Sequence, residues 1–220
     1  MELYEALYTT RAMRRVKPDP IPAEAQARIL DAAIRAPSGG NAQEWRFLLV
    51  DDPALKARLG PIYRSCLAQL FEGFYKARRE TAEADPDDPE SVEFFKMYRS
   101  ADHLAQNFET YPLLLFAFAR SEGAGSSIFP AVWSAMLAAR AEGIGSALTS
   151  VLAFQADEVT RILGIPEDSG WQMTCCVTLG YPTGRWGVAP RRPVDEVAFR
   201  NRWGTPLGLE ISEPLWPRPS

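Results

Sequence analysis

The side chains best suited to chemistry lie in two short segments. Arg11, Arg14, Arg15 and Lys17 gather cations at one place in a chain whose net charge is −4. Such a cluster is either a solvated face or an anion site. Arginine's planar, permanently charged fork suits a phosphate, and each charge-assisted hydrogen bond contributes about 1.5–3 kcal/mol. The second segment is Ala36-Pro37-Ser38-Gly39-Gly40-Asn41-Ala42-Gln43-Glu44-Trp45. Proline and glycine end a helix and Asn fits a turn, which accounts for Pro37 to Asn41 but not for Gln43 or Trp45. Glycines also let backbone approach a flat ligand closely, while Asn and Gln amides donate and accept at heterocycle edges.

Several chemistries are poorly served. The 220 residues include one His and three Cys, without the close ligand spacing of a zinc site. An imidazole-dependent nucleophile would have to use His103, which sits beside Asp102 in a helical stretch and reads as a surface or cap residue. No Gly-x-Gly-x-x-Gly follows a strand, and there is no Walker-type loop. With 24 basic against 28 acidic residues the balance gives no reason to expect nucleic acid. The opening MELYEALYTTRAMRR has no apolar stretch behind a basic one, so it is not a secretory leader. Cys175 and Cys176 are adjacent; on a strand they point to opposite faces and read as core fillers. With no apolar run of about 18 residues, these features predict a cytoplasmic protein without a membrane span.

The elements that must position the two segments follow from periodicity. Pro22 to Ala36 places Ala25, Ile29, Ala33 and Ala36 on one helical face, and Ser127 to Ala141 is an alanine-rich helix. Leu67, Leu70, Phe71, Phe74 and Tyr75, then Phe94, Phe95, Tyr98, Leu104 and Phe108, recur at helical spacing. Between them the acidic stretch Thr81–Glu93 reads as an exposed loop. Trp45–Val50, Leu113–Ala119 and Met173–Gly180 read as strands of a buried sheet. The segment from Pro182 onward holds seven of the 18 prolines, so it must lie against its own body or a partner. The expectation is a mixed α/β or α+β fold in a single domain over 1–220.

Taken together, the segments resemble the nitroreductase family of FMN-dependent oxidoreductases. Three further motifs occur in the family's order: Gly143-Ile144-Gly145-Ser146-Ala147-Leu148-Thr149-Ser150, Leu179-Gly180-Tyr181-Pro182, and Pro190-Arg191-Arg192-Pro193-Val194-Asp195-Glu196-Val197 leading into Arg202-Trp203-Gly204. The resemblance spans about residues 5 to 204 and implies an α+β nitroreductase-like fold. It has a central, mainly antiparallel sheet flanked by helices, with a C-terminal extension (about 182–220) wrapping the partner subunit of a homodimer. It implies FMN at the subunit interface and NADH or NADPH as co-substrate. Electrons would pass to a nitroaromatic, quinone or similar small acceptor by a ping-pong scheme.

The resemblance also implies roles for particular residues, with the chemistry carried by FMN rather than by a catalytic side chain. The segment Arg11, Ala12, Met13, Arg14 and Arg15 would hold the phosphate and ribityl chain, with a cation near the pyrimidine end. Pro37, Ser38, Gly39, Asn41 and Gln43 would touch the isoalloxazine. The turn Thr149, Ser150 and Val151 would face the reactive N5 side, and Arg191 and Arg192 would return to the phosphate. The region of about 61–110 would form a lid, making Tyr63, Phe71, Phe74, Tyr75, Phe94, Phe95 and Tyr98 substrate-facing candidates beside their simpler reading as helix core. Thr10, Ala12 and Glu44 depart from the family's usual Arg, Ser and Pro. Trp133 and Met136 read as dimer or domain core. A specialised relative, dehalogenating or flavin-fragmenting, and a flavin-storage protein without turnover are the competing readings.

Overall fold

The computed structural model describes residues 1–120, 125–209, 211 and 214–216. The chain divides into a larger unit, Ala12–Gly184, and a smaller one combining Met1–Arg11 with Arg185–Ser220. Strands β1 (Trp45–Val50), β2 (Leu113–Ala119), β3 (Gly145–Thr149) and β4 (Gln172–Gly180) form the larger unit's sheet. Their order is β1-β2-β4-β3, with every neighbouring pair antiparallel. β2 is Leu-Leu-Leu-Phe-Ala-Phe-Ala and buried along its whole length, because helices cover both faces of the sheet.

One face packs against α2 (Ala23–Ala33) and α6 (Gly125–Ala141) through Ile29, Ala33, Leu115, Ala117, Val132 and Ala135. The other packs against α3 (Pro53–Glu72), α5 (Pro89–Gln106) and α7 (Ala156–Ile162) through Leu59, Phe94, Leu104, Leu114, Phe116 and Val159. Cys175 faces the first core and Cys176 the second, as alternation along β4 requires.

The start signals of α3 and α5 are the same dipeptide. Asp52 accepts from Ala54 N (2.6 Å) and Leu55 N (3.2 Å) ahead of Pro53, and Asp88 accepts from Glu90 N (2.9 Å) and Ser91 N (3.2 Å) ahead of Pro89. Asp52→Ala is expected to lower stability by about 1 kcal/mol, the scale of one lost cap, read as a denaturation midpoint. This capping corrects the reading of Thr81–Glu93 as one loop. Thr81 to Ala84 end α4 (Lys76–Ala84) and Pro89 to Glu93 begin α5, leaving only 85–88 between them. Asp-Pro here opens a helix rather than a turn. The five-residue β3 also escapes the sequence pattern, because it opens on glycine and carries small residues without polar alternation.

In the smaller unit, α1 (Leu3–Thr9) packs with the C-terminal segment, which includes the short α8 (Val194–Val197). The Tyr8 ring meets Trp216 at 5.8 Å between centroids, and Ala189 N donates to Tyr8 O at 3.4 Å. Among the described residues no helix is long and apolar enough to cross a membrane.

Candidate functional site

The arm from Ala12 to Lys17 is held along its length. Ala12 bridges Ser146 of β3, Met13 N donates to Ser146 O (2.9 Å), and Lys17 N donates to Tyr181 O (2.7 Å). The Arg15 carbonyl accepts from Thr183 N (3.0 Å) and Thr183 Oγ1 (3.3 Å). Two glycines make room for it. A Cβ on Gly145 would lie 2.8 Å from Met13 Cβ, and one on Gly180 would lie 2.7 Å from Val16 Cγ2. Fixing the backbone presents the cations: Arg14 is half-buried, with Nη1 donating to Ser100 Oγ at 3.2 Å, while Arg15 stays exposed.

Two buried phenols support this end of the sheet. Tyr111 Oη donates to Arg14 O at 2.5 Å, and Tyr63 Oη meets Thr149 Oγ1 at 2.9 Å. Burial pushes Tyr63 up to about 12 and Tyr111 further above its ordinary value, so both stay protonated at neutral pH. His103, on α5, is held below its usual value by partial burial and then by the charge of Arg15, against the opposing effect of Asp102.

The Ser38–Gln43 loop stores backbone strain. Gly40 (φ 56°), Asn41 (φ 54°) and Gln43 (φ 52°) all occupy the left-handed region, which is costly for Asn and more so for Gln. Ser38 Oγ accepts from Gln43 N (3.1 Å), and Ser127 Oγ of α6 accepts from Gly39 N (3.3 Å). Asn41 and Gln43 remain exposed, linked to each other by Gln43 Nε2 donating to Asn41 Oδ1 at 3.1 Å. Nothing lies within 4 Å of where a Cβ on Gly39 or Gly40 would sit, so the loop's outer face is open to a flat ligand. Pro37 precedes it, exposed, and Glu44 is exposed at its rim. Gln43→Ala is expected to leave the melting temperature within the error of a surface change.

Thr149 ends β3, and Ser150 adopts φ −110°, ψ 6° before the 3-10 turn Val151–Gln155. Val151 N donates back to Thr149 Oγ1 at 3.3 Å. The arm and this turn are neighbours along β3: Ser146 and Thr149 are three residues apart, about 10 Å. The Ser38–Gln43 loop leads into β1, the opposite edge of the sheet from β3. Three inter-strand steps separate those edges, about 14 Å. Within one chain the arm meets the start of β3 and the Thr149–Val151 turn leaves its end, with the amide loop on the far edge of the sheet.

The other arginines belong to the smaller unit. Arg11 Nη2 donates to Arg185 O at 2.9 Å. Exposed Arg191 and Arg192 line a cavity of about 570 Å³ together with Leu7, Tyr8, Thr10 and Val188. Thr10 is buried and donates to Ala6 O at 2.6 Å.

Of the aromatic lid candidates, Tyr63, Phe71 and Phe94 are buried in the second core, and Tyr75 and Phe95 are partly buried against it. Phe74 (81% exposed) and Tyr98 (38%) are the rings that face solvent. Phe74 and Tyr75 fall beyond α3, which stops at Glu72 before Gly73, so the helical spacing that grouped all five residues ends early. Met136 lies in the first core, whereas Trp133 is 40% exposed. Of the supporting residues, Tyr111 and Ser100 carry no sequence motif, whereas Gly145 and Gly180 fall within the glycine-containing motifs of the family resemblance. The two glycines face each other as register partners of β3 and β4.

A strained amide loop, a clamped arginine arm and a strand-end turn on an antiparallel α+β sheet suit a flat heterocycle with an anionic tail. The family model of the nitroreductase family matches residues 7–181, and the chain belongs to that family. It is 30% identical to a 5,6-dimethylbenzimidazole synthase of Rhodobacter capsulatus, covering 82% of this chain and 83% of the relative. It is 29% identical to an iodotyrosine deiodinase of Thermotoga neapolitana, covering 90% and 96%. The crystal structure of the FMN-dependent nitroreductase NfnB from Mycobacterium smegmatis in complex with NADPH shares the fold. Its TM-score is 0.67 at 22% identity, covering 90% of this chain and 97% of that one.

Proposed function

We propose that the protein is an FMN-dependent oxidoreductase that takes electrons from NADH or NADPH and delivers them to a small acceptor such as a nitroaromatic or quinone. The observation that carries this reading is the arginine arm clamped on β3, the strand that ends in the Thr149–Val151 turn, in a chain that belongs to the nitroreductase family. When bound, FMN supplies the hydride and electron chemistry. The chain's residues bind and orient it. Arg11, Arg191 and Arg192 take the phosphate, whose charge of roughly −1.5 to −2 calls for several cations. Arg14 and Arg15 set a positive potential at the pyrimidine end, Asn41 and Gln43 satisfy ring-edge donors and acceptors, and the turn meets the N5 side.

The placement of the amide loop on the opposite sheet edge from the turn supports a site shared by two copies, with the loop supplied by the partner subunit and the C-terminal extension embracing it. Donor and acceptor would use one open flavin face in turn. Steady-state rates with NADH and a quinone are expected to give the parallel double-reciprocal lines of a ping-pong scheme; intersecting lines would rule it out. The relatives at 29% and 30% identity favour a second reading, a dehalogenating or flavin-fragmenting enzyme. Release of iodide from 3-iodotyrosine, or conversion of the flavin itself, would select it.

A further inference from the structure

We propose that Tyr63 is a positioning residue for the Thr149–Ser150–Val151 turn, acting through the Thr149 hydroxyl. The inference rests on the flavin reading above for its catalytic consequence, but its structural core stands on the chain's own geometry.

Tyr63 sits on α3, 3% exposed, and its ring stacks on Phe108 at 4.3 Å and 14°. The stack fixes where the phenol oxygen points, and that oxygen lies 2.9 Å from Thr149 Oγ1. Thr149 Oγ1 already accepts from Val151 N at 3.3 Å. A hydroxyl has two acceptor lone pairs and one proton. Whichever hydroxyl donates, Oγ1 is tethered from both sides, to the Tyr63 phenol and to the Val151 amide. The Thr149 rotamer is thereby locked, and with it the tight turn that folds Val151 N–H inward.

The consequence is a division of labour within three residues. Val151's amide is turned inward, Thr149 is 8% exposed beneath the turn, and Ser150 is exposed at its tip in a sparsely populated backbone conformation. The Tyr63 phenol reaches the turn from α3 and anchors it from outside the turn itself. A ring that the family resemblance offers as a lid candidate, and that otherwise reads as helix core, thus acts on the site from beneath.

The test uses Tyr63→Phe, which keeps the ring stack and removes one oxygen, with Thr149→Val and Thr149→Ser as companions. In FMN-free protein, hydrogen exchange at the amides of Val151 to Ala153 is expected to speed up about 3- to 10-fold in Tyr63→Phe and Thr149→Val, the scale of one lost hydrogen bond. Thr149→Ser, which keeps the hydroxyl, should exchange like the parent. In the FMN-loaded protein, Tyr63→Phe should retain stoichiometric flavin and an unchanged KM for the donor. Its kcat should fall about tenfold, the flavin's reduction potential should shift, and the Tyr63→Phe/Thr149→Val double variant should be no worse than either single. Parent-like exchange in Tyr63→Phe would overturn the anchor, as would strictly additive losses in the double variant. If the parent protein binds no FMN the functional reading fails, and the exchange arm still decides the role of Tyr63.

Discussion

Replacing Arg11 and Arg192 together by alanine is expected to yield a folded protein that purifies colourless. Both side chains are exposed, and the interaction recorded for Arg11 is a donation to the Arg185 carbonyl, so neither supports the core. Their removal should leave the melting temperature nearly unchanged. Each guanidinium–phosphate contact contributes about 1.5–3 kcal/mol, so losing both should weaken FMN binding by roughly 10²–10⁴-fold. The ratio of flavin absorbance to protein in the purified variant reads this directly. A stoichiometric ratio would show that the two arginines are surface charges.

The second large effect concerns residues with no side chain to contribute. Gly145→Ala places a methyl 2.8 Å from Met13 Cβ, and Gly180→Ala places one 2.7 Å from Val16 Cγ2 and 3.1 Å from Pro112 Cγ. Met13 Cβ is fixed to the arm's backbone and Val16 is branched at Cβ, so neither can swing aside and the arm itself must move. Overpacking of this kind costs about 1–3 kcal/mol per site. The double variant should therefore melt lower and bind FMN at least tenfold more weakly than its stability loss alone explains, because Arg14 and Arg15 lose their backbone register. Calorimetry paired with FMN titration separates the two effects. Normal flavin affinity in the double variant would mean that the arm does not position the cofactor.

Much of this architecture was legible from pattern. The continuous apolar run Leu113–Ala119 reads as a buried strand and the Ala25, Ile29, Ala33 stripe as one helical face, and both are so. The arginine arm and the Gly-Gly-Asn loop announced themselves by residue type. What pattern could not reach was set by tertiary contact. β3 is a strand because β4 pairs with it, not because Gly-Ser-Ala-Leu-Thr prefers extension. Helical spacing could not separate Phe74 from Phe71, although one is 81% exposed and the other buried, because that depends on where α3 stops. Tyr63 and Tyr111 look like ordinary core aromatics until their hydroxyls are seen to reach Thr149 and the Arg14 carbonyl. The separation of the amide loop from the turn by a sheet's width is likewise a fact of strand order.

The central claim, that this chain binds FMN and passes electrons through it from a nicotinamide donor, is tested most directly by anaerobic mixing of the purified protein with NADH or NADPH. The account predicts that the oxidised flavin absorbance bleaches with one of them at a saturable rate, and returns when a quinone or nitroaromatic is added. Bound flavin that stays oxidised with both donors would contradict it.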